Sequence, residues 1–163
     1  MKDAERGQYV LAIVRIMIGW LFIWGFLDKM FGLGLETPAG SGVIDGVSPS
    51  SMVVYVSKGL FQDLFFSMAG NIFVDILLMI GLLILGITIT LGVGTKLTTI
   101  FSIMFFLTMY CLVVPPTDNP IIDYHIILSA CMVAIYLLGG YEKLSFYPRW
   151  KDFFLVKRYP IIE

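Results

Sequence analysis

The sequence is poor in the residues that hold metals and redox centres. Its 163 residues include one histidine, His125, and two cysteines, Cys111 and Cys131, with no CxxC pair. A bis-histidine haem needs two histidines, and an iron–sulfur cluster ordinarily takes four cysteines. A cysteine–histidine zinc site would also be short of ligands. The expectation is a chain without a haem, iron–sulfur or metal site. Charge is scarce as well: 14% of residues are charged, against about 25% in a typical soluble domain. A net charge of −1 gives no footprint for nucleic acid. No internal repeat or low-complexity tract is present. The opening MKDAERGQYV leads into an apolar stretch with no small-residue cleavage site behind it, so that stretch is expected to be retained as a helix.

What the chain has in abundance is apolar surface: 58% of residues are hydrophobic, with a mean hydropathy of +0.89. Crossing a hydrocarbon core of roughly 30 Å takes about 20 mostly apolar residues in a helix. Four stretches qualify, at about 9–27, 72–91, 97–114 and 121–138. A lone helix bonds its own backbone groups in lipid, which makes hydropathy a direct guide. The predicted fold is all-α, an integral membrane four-helix bundle over residues 1–140 followed by a tail, 141–163.

Basic residues in short loops set the orientation. Lys2, Arg6, Lys96, Lys143, Arg149, Lys151, Lys157 and Arg158 fall on one side; Lys29 and Lys58 fall on the other. This places both termini in the cytoplasm and the protein in the plasma membrane as a multi-pass chain. The long outer segment, 30–71, begins as a Gly-, Ser- and Pro-rich loop. Its second half, SPSSMVVYVSKGLFQDLFFSM, starts at Ser50 or Ser51 as N-cap, with Val53, Val56, Leu60, Phe61, Leu64 and Phe65 at helical spacing. It is predicted as one extra amphipathic helix on the outer surface. The tail mixes aromatic and basic residues, as in an anchor on the membrane interface. Membrane lipid is thus the first expected partner.

Ionisable residues inside spans are costly and mark a bundle interior or a water-filled cavity. Arg15, Gly19, Phe22, Phe26 and Lys29 share one face of the first helix, with about 21 Å between Arg15 and Lys29. Asp75 lies a turn inside the outer end of the second span, and Asp123 and His125 lie at the same depth on the fourth. Tyr110 and Cys111 end the third span nearby, and Asp28 and Lys29 end the first. All four helices therefore bring polar groups to one outer layer, suited to a small anion, a quinone head group, or both; the bland counterpart is the headgroup-level polar belt of any membrane protein. Asp75 is expected to pair with a cation such as Lys29. Asn119 and Pro120 are predicted as the N-cap and first residue of the last helix, which would leave Asp123 and His125 some 200° apart on it. Histidine is the side chain suited to proton carriage at physiological pH, so His125 suits proton transfer to a reduced quinone. Asp75, Asp123 and His125 are the candidate catalytic groups; Arg15, Trp24, Lys29, Tyr110 and Asn119 are the candidate substrate or quinone contacts. Cys111 and Cys131 lie at different depths and are read as small apolar residues.

Three stretches carry a resemblance. RIMIGWLFIWGFLDKMFG resembles the opening helix of DoxX/DoxD-type membrane proteins. FFSMAGNIFVDILLMIGLLILGITITLGVGTKL resembles their second helix and cytoplasmic turn. MYCLVVPPTDNPIIDYHIILSACMVAIYLLGG is similar to their PP-x-x-NP-x-x-D-x-H segment. Together they cover most of residues 8–140, and their order and spacing add to the match. The resemblance implies a subunit of the thiosulfate:quinone oxidoreductase type, with quinone as electron acceptor and a DoxA-like partner subunit, and it points to Arg15, Lys29, Asp75, Asn119, Asp123 and His125. Tyr124 stands where the pattern has a second acidic residue. A quinone would enter beside Trp20, Trp24 and Phe26, whose rings can stack on it. The alternative function is a non-enzymatic scaffold or anchor for a redox partner. A small transporter would need a homo-oligomer, and the Gly81…Gly86 spacing is too loose to define a dimer face.

Overall fold

The computed structural model describes residues 3–117 and 119–163, without the side chains of Val53 and Val54. Lys2 in the charge count and Val53 in the amphipathic stripe therefore lie outside the described residues. Eight α-helices and two short 3-10 turns follow in chain order, and no strand occurs among the described residues. Helix α1 (Asp3–Phe31), α4 (Ile72–Leu91) and α5 (Thr95–Val113) are long and apolar enough to cross a bilayer, which marks the chain as a membrane protein. Helix α6 (Tyr124–Leu137) is apolar but has 14 residues, about 21 Å of rise, and so falls short of that length.

α6 is shorter than the sequence suggests because its cap is not the predicted one. Asp123, in extended conformation, is the N-cap, and its carboxylate accepts the N–H groups of His125 and Ile126 at 3.0 and 3.2 Å. Asn119 instead closes a turn ahead of the helix, accepting from Ile121 N at 2.9 Å and Ile122 N at 3.0 Å. An acidic cap is favoured there because it meets orphan amides at the positive end of the helix dipole.

The helices pack in two pairs, α1 with α4 and α5 with α6. The first pair is close because two glycines meet. A Cβ on Gly86 would sit 2.9 Å from Ile23 N, and one on Gly19 would sit 2.9 Å from Thr90 N. Small residues let membrane helices bring their backbones together in this way. Ile18, Phe22, Leu82, Ile89, Phe106, Met132 and Ile135 form the shared core, and the Phe22 ring lies 5.1 Å from those of both Phe105 and Phe106.

The segment 30–71 departs from the single predicted helix. It forms α2 (Pro49–Tyr55) and α3 (Gln62–Met68), with a break between them. The break is bonded to the end of α5: Lys58 N donates to Leu112 O at 3.1 Å and Leu60 N to Val114 O at 2.8 Å. Gly59 lies flat on Val114, leaving no room for a Cβ. Helical bonding in 57–60 is given up to satisfy carbonyls that α5 leaves orphaned. Leu60 and Leu64 are exposed rather than turned onto the bundle.

The tail forms α7 (Tyr147–Trp150) and α8 (Phe154–Arg158) and folds onto the opposite end of the bundle. Phe146 N donates to Leu91 O at 2.8 Å, Lys96 N to Glu163 O at 3.1 Å, and Trp150 Nε1 to Ile162 O at 2.9 Å. Burial, together with a hydrogen bond to Glu163, raises the pKa of the Tyr147 hydroxyl well above the usual tyrosine value.

Candidate functional site

Between the two helix pairs, at the end roofed by the segment 32–71, lies a cavity of about 430 Å³. That size falls within the usual range for small-molecule sites. Phe22, Trp24, Leu82, Phe105, Phe106 and Met109 make its walls apolar. Its polar groups come from Lys29 on α1, Glu36 and Thr37 in the loop after α1, and Tyr124 and His125 at the start of α6.

Asp123 and His125 are not separated in the way a helical register would have them. Because Asp123 caps the helix and is not part of it, its carboxylate turns back, and Oδ2 lies 2.5 Å from His125 Nδ1. Both side chains are about nine-tenths buried. A carboxylate can only accept, so with His125 neutral its Nδ1 carries the hydrogen and Nε2 is left as the free acceptor. The Tyr124 ring covers the imidazole, with centroids 3.9 Å apart. The position that lacks the second acidic residue of the resembled pattern thus supplies an aromatic cover.

Lys29 points into the cavity rim, but its partner is not Asp75. Its Nζ lies 2.9 Å from Glu36 Oε2; the Lys29 side chain is 11% exposed and that of Glu36 is 74% exposed. Asp75 instead accepts from Ser48 Oγ and Ser50 N, both at 2.9 Å. It fixes the start of α2 to α4. Asp28, fully buried, does the same for the preceding loop by accepting Thr37 N at 2.7 Å and Leu35 N at 3.4 Å. Tyr110 donates to Ile121 O at 2.7 Å and, like Asn119, serves the turn before α6. The predicted outer layer therefore divides: Asp28 and Asp75 hold the roof, Tyr110 and Asn119 hold the turn before α6, and Lys29, Tyr124 and His125 face the cavity.

Arg15 does not join this site. It is fully buried near the other end of the bundle, where Nη1 donates to Ile89 O at 2.6 Å and Thr90 O at 2.8 Å, and Nη2 to Leu144 O at 2.7 Å. Its guanidinium lies 5.5 Å from the Tyr141 ring centroid. It ties the end of α4 to the chain following α6, a structural use in place of the expected ligand contact.

Sequence reasoning did not single out Glu36, Thr37, Phe105, Phe106 or Met109. Glu36 left one usable signal: it is the first of only two charged residues, with Asp45, in the loop 32–48, seven residues past Lys29. Among the described residues, no group of three or more His, Cys, Asp or Glu side chains is placed to hold a metal ion.

These features define an all-helical membrane protein with an apolar cavity and an acid–histidine pair at its polar end. No family model, curated protein or solved structure matches the chain.

Proposed function

We propose that the chain is the membrane subunit of a quinone-linked oxidoreductase of the thiosulfate:quinone type. In this reading four helices span the plasma membrane, with both termini cytoplasmic and the cavity toward the outer face. Helix α6 completes its span with the flanking apolar residues Ile121, Ile122 and Leu138, aided by local thinning of the bilayer. The bias of basic residues toward the Arg15 end supports the orientation.

The observation that carries the reading is the buried Asp123–His125 pair, whose histidine lines a cavity with mostly apolar walls. Reducing a quinone to a hydroquinone takes two electrons and two protons. Oxidising two thiosulfate anions to tetrathionate releases two electrons and no protons, so the protons must come from elsewhere. His125, held through Nδ1 by Asp123, presents Nε2 to a quinone oxygen and delivers a proton there. Asp123 stabilises the imidazolium before delivery, and the pair is reloaded from the outer water for the second proton. Lys29, at the rim, supplies a positive charge for the anionic donor once Glu36 moves aside. A DoxA-like partner belongs to this reading as the second subunit.

The test uses the purified protein in nanodiscs. Quinone binding is followed through tryptophan fluorescence, since Trp24 lines the cavity, and turnover is followed as thiosulfate-driven quinone reduction with the partner added. Saturable binding and turnover are expected in the native chain, with turnover lost in His125→Ala. A chain that captures its partner but binds no quinone would be a scaffold, and the proposal would fail.

A further inference from the structure

Beside the main cavity lies a second one of about 200 Å³, on the far side of the α4–α5 seam and beneath α3. Leu78, Phe105 and Met109 line both cavities, so a single layer of side chains separates them. We infer that the isoprenoid side chain of the quinone passes this layer between α4 and α5, occupies the second cavity and leaves from there into the bilayer. The inference rests on the quinone reading of the main cavity and extends it to the substrate class: a quinone bearing a long apolar tail.

The lining of the second cavity dictates an apolar occupant. Phe65 and Met68 close it from above, and Val74 and Leu77 form one wall. Its two hydroxyls are already engaged. Ser50 Oγ accepts from Gly70 N at 3.1 Å, and Thr108 Oγ1 donates to Met104 O at 2.9 Å. With the Ser50 hydroxyl also bonded to Ser48 Oγ at 3.1 Å, neither hydroxyl has a hydrogen to spare for a polar ligand, whereas an alkyl chain needs none. The separating layer can yield, because Met109 and Leu78 are flexible chains and methionine adapts to irregular space. The far wall is open: Leu77 is 75% exposed on the flank of α4, the flank that meets lipid when α4 crosses the membrane. The head group's polar partners lie at the other end, on α1 and α6. A molecule with a polar head and an apolar tail fits the two cavities in only one direction.

The experiment compares a tail-less dimethoxy-methyl-benzoquinone with its decyl derivative, using the native chain and the cavity-filling variants Val74→Phe and Thr108→Phe, all in nanodiscs of equal lipid content. Both variant positions line the second cavity and not the first. Each methylene withdrawn from burial is worth about fourfold in affinity. The variants should therefore weaken decyl-quinone binding by ~tenfold or more while leaving tail-less binding within about twofold of native. Retained tail-less binding also shows that a variant has folded, and a variant that loses it is replaced by Leu77→Trp. Equal affinities of native and variant chains for the decyl compound would overturn the inference and leave the quinone site standing. So would a phospholipid chain found in the second cavity by native mass spectrometry and not displaced by decyl-quinone. Absence of tail-less binding to the native chain would overturn the underlying quinone reading instead.

Discussion

Asp123 holds His125 at 2.5 Å while capping the helix on which His125 sits. One carboxylate oxygen serves the backbone amides and the other serves the imidazole. The two roles can be separated by substitution. Asparagine is as good an N-cap as aspartate, but it carries no charge to stabilise an imidazolium. Asp123→Asn should keep the thermal stability and quinone affinity near native and lower thiosulfate-driven turnover by ~10²-fold, the lower end of the range for acid–base assistance. Asp123→Ala should in addition cost about 1 kcal/mol of stability from the lost cap. Turnover of Asp123→Asn at the native rate would show that the pair is structural.

Arg15 should behave as a structural residue. Arg15→Met would leave the carbonyls of Ile89, Thr90 and Leu144 without their buried donor, at a cost of about 3 kcal/mol or more. Arg15→Lys should rescue little, because an ammonium cannot fork between α4 and the chain after α6. Folded Arg15→Lys should bind quinone as the native chain does. Thermal unfolding in detergent alongside a binding titration checks both halves; a selective loss of quinone affinity with unchanged stability would contradict the assignment.

The glycines of α4 should differ sharply. Gly86 faces the backbone of α1, whereas Gly81 has nothing within 4 Å of where its Cβ would be. Gly86→Ala should force α1 and α4 apart and destabilise by about 1–3 kcal/mol. Gly81→Ala should be neutral or stabilising by up to about 1 kcal/mol through helix propensity. Paired unfolding curves provide the comparison.

The tail contact should be sensitive to alkali. The pKa of Tyr147 is raised in the folded state by burial and by its bond to Glu163. The unfolded chain releases that proton near pH 10 while the folded chain keeps it. The Tyr147 contribution is therefore fully present below about pH 10 and is lost progressively as pH rises above it. With Trp20 and Trp24 changed to Phe, Trp150 is the sole tryptophan and reports release of its bond to Ile162. Its emission should shift above about pH 10, and Tyr147→Phe should remove most of that pH dependence.

Spans were legible wherever hydropathy alone decides them: α4 occupies the predicted residues 72–91, and α5 agrees within two residues at its start and one at its end. α6 was misjudged by three residues at its start because Asn, Pro and Asp all suit helix starts, and only the fold selects among them. The segment 50–70 was misread because its apolar spacing is helical throughout, yet the carbonyls at the end of α5 claim its middle amides. At the site, Lys29 and His125 could be placed in one layer from depth alone. Their partners could not: depth says nothing about azimuth, so Asp75 was the expected mate for Lys29, and loop geometry supplied Glu36 instead. Arg15 could be read from the sequence either as a ligand contact or as a structural interhelical tie; its four carbonyl acceptors on two distant segments leave no trace in local sequence.

The bonds from Lys58 and Leu60 to the end of α5 also constrain how the protein is made. The roof segment is synthesised after α1 and before α4, but two of its amides find their acceptors at Leu112 and Val114, more than fifty residues later in the chain. While the earlier helices are being inserted, that stretch has no backbone partner there. The roof can close only once α5 is in place, so the cavity is finished late in biogenesis, and a chain truncated before α5 should present 57–60 to water or to chaperones.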